Sequence, residues 1–182
     1  MLLALAGKAG AGKNTVADML SEHFNFQQTA FADPLKTAAA LIFGLDVEHF
    51  YSSDLKEIVD PFWGISPREM LQKLGTEACR NNIDQNIWVK SMQRSCAEVI
   101  ANNEDLVITD ARFDNEADMV RALGGTVIHI HSNRESKLNA TSQAHLSEAG
   151  IEFKGCDYVI DNSGTLLDLK HEVSIFMEDY YA

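Results

Sequence analysis

Residues 2–15 read LLALAGKAGAGKNT. The apolar run at 2–6 stops at Gly7, as a strand buried on both faces of a parallel sheet does. Val16, Met19, Leu20 and Phe24 then recur at helical spacing, so a helix opens directly on the intervening loop. Gly7, Gly10 and Gly12 let the backbone fold tightly enough for successive N–H groups to converge on phosphate oxygens. Lys13 adds a cation, the helix N-terminus adds partial positive charge, and Thr15 offers a hydroxyl. Strand, glycine loop and helix together specify a polyphosphate site. Asn14 stands where the strict pattern carries Ser or Thr directly after the lysine, so ligation of magnesium by the loop itself is not expected.

The same alternation continues along the chain. A second short strand is expected near 27–32, with Asp33 as cap and Pro34 in the first turn of a helix at 35–43. Periodicity fails between 44 and 65, which reads as an irregular insertion with short helices. Ser66, Pro67 and Glu69 announce the next helix as cap, first position and third position, and it runs to about Arg80. A further helix covers 84–101. Then come a buried strand at 106–109, a helix near 115–123, a Gly124-Gly125 turn and a strand at 126–130. The polar, aperiodic stretch 132–155 suits a mobile segment, such as a lid, or a short helical hairpin, and a strand at 158–160 with a helix at 166–180 closes the chain. Repeated alternation implies right-handed crossovers and a parallel sheet sandwiched by helices, in one domain without a clear linker.

Composition narrows the partners. The net charge of −12 over 182 residues opposes attraction to nucleic-acid polymers or anionic lipid, while a small anion needs only a local cluster of cations. Cys79, Cys96 and Cys156 form no CxxC pair, which fits reduced thiols. The N-terminal apolar run is too short for a signal peptide and no stretch suits a membrane span, so a cytoplasmic location is expected.

Charged residues cluster at expected strand ends. Asp110 follows the strand at 106–109, where its carboxylate would hold magnesium or the ion's water shell, or else cap the next helix. Arg112 and Asp114 make TDARFDNE a charged patch. Asp33 and Lys36 occupy the matching end of the second strand, as ligand-binding groups or as a cap with a surface lysine. Arg68, Lys73 and Arg80 lie in one helical region as candidate phosphate clamps or solvated charges. His129 and His131 share a strand face without a third metal ligand, which favours packing. Trp63 and Trp88 are either base-stacking or core aromatics.

Taken in order, GKAGAGKNT, FADPLK, LQKLGTEACRNNIDQNIWVK, TDARFDNEADMVRALGGTVIHI and HLSEAGI resemble the bacteriophage-type deoxynucleoside monophosphate kinases, relatives of the nucleoside monophosphate kinases in the P-loop superfamily. The resemblance implies an α/β three-layer sandwich, with a five-stranded parallel sheet, helices on both faces and a lid. It implies ATP-dependent phosphorylation of deoxynucleoside 5'-monophosphates to diphosphates for DNA precursor synthesis, with Mg2+ as cofactor. Gly10, Gly12, Lys13, Asn14 and Thr15 match the ATP loop. Lys36, Arg68, Gly75, Thr76, Asn82, Trp88, Asp110, Arg112 and Glu116 match the acceptor region, and Arg134 and Lys137 fall where related kinases keep lid cations. Lys13, Arg68, Arg112 and Arg134 are thereby the expected catalytic cations, and Asp110 the expected metal-side group. The partner is a small-molecule nucleotide, and a homodimer is among the assemblies this allows. Two other readings remain open: a kinase of the dephospho-coenzyme A type, with Asp33 as base toward a sugar hydroxyl, and a nucleotide-dependent switch or ATPase that phosphorylates no small acceptor.

Overall fold

A computed structural model describes residues 1–133 and 150–181. Most of the expected lid, with Arg134, Lys137, His145 and Glu148, lies outside the described residues. The described chain divides into two compact units, Met1–Ala30 with Ser95–Ala182, and Phe31–Arg94. Among the described residues no helix is long and apolar enough to cross a membrane.

The first unit holds a five-stranded, all-parallel sheet in the order β2-β3-β1-β4-β5. The strands are β1 (Leu2–Ala6), β2 (Gln27–Thr29), β3 (Leu106–Ala111), β4 (Thr126–His131) and β5 (Tyr158–Asp161). All of β1 is buried, which is why its residues read as a continuous apolar run rather than an alternating one. Alternation decides what each face meets. Leu3 and Leu5 join Val16 and Leu20 of helix α1 (Lys13–Phe24) in one core. Leu169, Val173 and Phe176 of the last helix, at Leu166–Tyr181, join the same core. On the opposite face the helix Asp114–Ala122 packs against β1 and β4. Sheet and flanking helices make the expected three layers.

The second unit is helical, with α2 (Asp33–Phe43), α3 (Glu48–Tyr51), a 3-10 turn at Leu55–Glu57 and α4 (Pro67–Gln72). Its core is Ala39, Phe50 and Met70, surrounded by Phe43, Leu45, Ile65, Leu71 and Leu74. The SPRE signal at 66–69 forms a true capping box. The Glu69 N–H donates to Ser66 Oγ at 3.3 Å, and the Ser66 N–H donates to Glu69 Oε2 at 2.9 Å.

Three expectations need correction. The helix expected to reach Arg80 is α-helical only to Gln72. It continues as a π-helical stretch at Lys73–Arg80, a rare local geometry that recurs near functional sites. Asp33 is the first residue of α2, not its cap, and the cap Ala32 makes no side-chain bond. Asp110 belongs to β3 itself, which extends to Ala111, and the following helix is capped at Phe113, so Asp110 is no helix cap. The remaining boundaries fall within a few residues of expectation, with α5 at Ile87–Ala101, α6 at Asp114–Ala122 and α7 at Leu166–Tyr181.

Candidate functional site

Because β1 lies between β3 and β4, the carboxyl ends of three strands meet where the glycine loop leaves the sheet. A parallel sheet accepts ligands at such an edge, where the strand order reverses. Gly7, Gly10 and Gly12 have φ of 145°, 82° and 101°, conformations that L side chains rarely adopt. Space is tight as well: a Cβ on Gly7 would lie 2.7 Å from the Ile130 carbonyl oxygen. Lys13, only 9% exposed, folds back over the loop and donates from Nζ to the carbonyls of Gly7 at 2.7 Å and Lys8 at 3.1 Å. Its ammonium is thereby stored beside the loop. Asn14 is exposed and Thr15 half-buried in the first turn of α1.

Asp110 reaches the same edge through a register irregularity. Ala4 pairs with Ile108 but Ala6 pairs with Ala111, so β3 carries one more residue than β1 across this interval. A bulge of this kind re-aims the side chains it contains. Arg112 follows at once. Glu116 is 3% exposed and its Oε2 accepts the N–H groups of Arg112 at 2.9 Å and Phe113 at 3.2 Å. It closes the first turn of α6 and holds the backbone beneath Arg112. Asp114, by contrast, accepts the Glu152 N–H at 2.9 Å.

The other acceptor candidates lie in the second unit. Lys36 Nζ donates to Asp33 Oδ1 at 3.1 Å and stands 4.0 Å from the ring centroid of Tyr51, whose hydroxyl also donates to Asp33 Oδ1, at 2.9 Å. Arg68 pairs through Nε with Glu57 Oε1. Gly75 in the π-helical stretch packs closely on α2, since a Cβ there would lie 2.5 Å from Leu35 Cδ2. Its carbonyl accepts Trp88 Nε1 at 3.0 Å. Thr76 is buried beside it, and Asn82 Nδ2 donates to the Glu77 carbonyl. Thus α2, Gly75, Thr76 and Trp88 come together. The three cations of the expected clamp do not share one partner: Lys73 lies 3.9 Å from Glu77, and Arg80 is buried and donates to the Gln85 carbonyl at 3.2 Å.

Several residues escaped the sequence reading. Tyr51 sits in the aperiodic 44–65 stretch, which carries no usable signal. Glu57 is a partner distant in sequence. Asn162 at the end of β5 donates from Nδ2 to the Ala11 carbonyl at 2.8 Å. Asn162 stands just past the strand expected at 158–160, a strand-end position of the kind that singles out Asp110. Trp63 is a packing residue, with its indole edge-on to Phe43 and Nε1 on the Phe43 carbonyl at 3.0 Å. His129 lies 3.0 Å from the buried carboxylate of Asp157.

Among the described residues no group of three or more His, Cys, Asp or Glu side chains could hold a metal ion.

A five-stranded parallel sheet, a glycine loop and a lysine opening the following helix define a P-loop kinase fold. Solved structures agree on the fold alone. The chain superimposes on dephospho-CoA kinase from Campylobacter jejuni with a TM-score of 0.56 at 15% identity, covering 98% of this chain and 96% of that one. A sugar kinase from Janibacter sp. gives a TM-score of 0.56 at 14% identity, covering 97% and 94%.

Within that class the family profile for deoxynucleotide monophosphate kinase matches residues 49–173. A protein of Acanthamoeba polyphaga mimivirus with the provisional name deoxynucleotide monophosphate kinase is 33% identical over 185 residues, spanning 95% of this chain and 94% of that protein. The deoxynucleoside-5'-monophosphate kinase of Escherichia phage T5 is 26% identical and spans 98% and 96%. The deoxynucleotide monophosphate kinase of Enterobacteria phage T4 is 31% identical over 64% of this chain and 46% of its own length. The chain belongs to the deoxynucleotide monophosphate kinase family.

Proposed function

We propose that the chain transfers the γ-phosphoryl group of ATP to a deoxynucleoside 5'-monophosphate, giving ADP and the deoxynucleoside diphosphate for DNA precursor synthesis. The observation that carries this reading is the loop at 7–15, whose buried Lys13 is held on its own loop's carbonyls at the head of α1. Family membership supports the choice of acceptor. One kinase domain spanning 1–182, with an insertion near 44–65 and a lid near 132–155, belongs to the same reading, as does a cytoplasmic location.

In this mechanism Gly10, Gly12, Asn14 and Thr15 bind the donor triphosphate through backbone N–H and side-chain donors, while Lys13 exchanges the Gly7 and Lys8 carbonyls for phosphate oxygens. Lys36, Arg68, Gly75, Thr76, Asn82, Trp88, Asp110, Arg112 and Glu116 serve the acceptor nucleotide. An acceptor phosphate oxygen attacks the γ-phosphorus in line; the new P–O bond forms as the bond to the β,γ-bridging oxygen breaks, and its electron pair leaves with ADP. That oxygen is anionic at neutral pH, so no general base is needed. Catalysis then comes from positioning and from cations that offset charge on the transferring group, here Lys13, Arg68, Arg112 and Arg134. Magnesium bound to the ATP oxygens would supply further charge neutralisation, with Asp110 as its protein-side partner. In the coenzyme A alternative Asp33 would be the base toward a sugar hydroxyl, with Lys36 and Tyr51 both donating to its Oδ1.

The test is a panel of dAMP, dGMP, dCMP, dTMP, the ribonucleotides and dephospho-coenzyme A with ATP and magnesium, following ADP and product together. Conversion of at least one deoxynucleotide is expected. Turnover of dephospho-coenzyme A alone, or hydrolysis of ATP with no acceptor consumed, would sink the reading.

A further inference from the structure

We propose that Asn162 is a positioning residue that aims the Gly12 N–H of the glycine loop at the donor phosphates. The residue is 3% exposed, and its side chain donates from Nδ2 to the Ala11 carbonyl at 2.8 Å. The orientation of the amide follows from chemistry, since a side-chain oxygen facing the Ala11 oxygen would repel it. Asn162 is itself fixed from both sides: its backbone N–H donates to the His131 carbonyl at 2.7 Å, and its carbonyl accepts Ser132 Oγ at 3.4 Å.

A planar trans peptide turns its C=O and N–H in opposite directions. The bond that draws the Ala11 carbonyl toward β5 therefore turns the Gly12 N–H away from it, toward the open side of the loop. Neighbouring peptides are set in the same manner: Ala11 N–H donates to the Lys8 carbonyl at 3.1 Å, and Lys13 Nζ takes the carbonyls of Gly7 and Lys8. The carbonyls of Gly7, Lys8 and Ala11 are thus held on protein donors, and the loop N–H groups not spent on them, Gly12's among these, are turned to face an anion. Gly12 also has to be glycine for Asn162 to fit, because a Cβ there would lie 2.1 Å from Nδ2. Asn162 and Gly12 are one device.

The role rests on the reading of the loop as the donor site, but its test need not involve the acceptor. Inorganic tripolyphosphate is titrated into wild type, Asn162→Leu and Asn162→Ala, with cooperative thermal unfolding as the check of folding and the 15N-labelled Gly12 amide as the local probe. We expect saturation to shift the Gly12 amide proton in wild type. The Leu variant, which leaves the Ala11 carbonyl unmatched, should lose about tenfold in affinity, the size of one good bond to an anion, and lose the Gly12 shift. In the Ala variant water can reach the carbonyl, and a smaller loss follows. In turnover assays KM for ATP should rise while KM for the monophosphate holds. A folded variant that binds tripolyphosphate within twofold of wild type overturns the role. If neither variant folds, the wild-type amide decides: a Gly12 N–H unmoved at saturation overturns it, and a shifted one supports it. Wild type that binds tripolyphosphate with the Gly12 shift but phosphorylates no deoxynucleotide would remove the proposed reaction and leave this role standing.

Discussion

Lys13 is the residue on which the donor chemistry turns. Its ammonium carries the only side-chain charge that the loop 9–15 supplies, and it donates to the Gly7 and Lys8 carbonyls. Lys13→Ala should cut kcat by roughly a hundredfold to a thousandfold or more, as loss of one preorganised transition-state donor does. The melting temperature should stay close to wild type, because the bereaved carbonyls sit in a loop that water can enter; near-normal turnover would refute the mechanism. Gly12→Ala should be harsher on the fold. It forces a φ of 101° on an L residue and drives a Cβ into Asn162, so both ATP affinity and thermal stability should fall. Such local chemistry was legible in the sequence because a glycine loop is a contiguous motif with one geometry. The pairings of Arg68 with Glu57 and Lys36 with Tyr51 were not, since spacing along the chain says nothing about partners that only the folded second unit creates.

Elements were legible wherever their signals were local. Ser66, Pro67 and Glu69 gave the start of α4 to the residue, and the resulting capping box satisfies N–H groups that the first turn otherwise leaves open. Ser66→Ala should therefore cost about 1 kcal/mol, read as a lowered midpoint in chemical denaturation. The π-helical stretch at Lys73–Arg80 left no trace, because a few residues of altered pitch cannot be told from a 3.6-residue period. Within it the Gly75 carbonyl accepts Trp88 Nε1, which ties the helix α5 to the stretch holding Gly75 and Thr76. Trp88→Phe keeps an aromatic ring but removes that bond. The expected outcome is a rise of about two- to tenfold in KM for the monophosphate, the range of one neutral hydrogen bond, with KM for ATP unchanged. A change confined to ATP would place Trp88 elsewhere in the reaction.

At the scale of the molecule, alternation of strands and helices predicted a parallel sheet, whereas the order β2-β3-β1-β4-β5 depends on the chain returning after residues 31–94 to add β3 beside β1, which no local pattern encodes. Global charge is simpler to read: with 27 acidic against 15 basic residues, an excess of single-stranded DNA should not inhibit turnover of the mononucleotide. The same acidity shapes the response to pH, though the decisive carboxylate is a buried one. The Asp157 carboxylate is fully buried between α6, β4 and the approach to β5, receiving Arg121 Nε at 2.9 Å and Nη2 at 2.6 Å, the Lys154 N–H at 2.9 Å and His129 Nε2 at 3.0 Å. Burial pushes its carboxyl up, but the Arg121 bonds, the Lys154 N–H and His129 outweigh that and hold it well below the ordinary 3.8. A carboxylate depressed in the folded state stabilises the protein fully above its unfolded pKa, and the contribution fades as pH falls toward the folded value. Asp84, Asp118, Asp161 and Asp168 are lowered in the same direction by hydrogen bonds, but near the surface solvent screens them. Stability should therefore hold from pH 7 to about 5 and drop steeply below 4. Asp157→Asn removes the buried charge and strands its arginine, at a cost of up to about 3–5 kcal/mol, reduced here because Arg121 keeps Asp118 at 2.8 Å and the Glu152 carbonyl at 3.0 Å. The variant should melt lower than wild type at pH 7, yet lose less between pH 5 and pH 3, and thermal unfolding followed at both ends of that range distinguishes this from surface repulsion, which would leave the two proteins with parallel pH profiles.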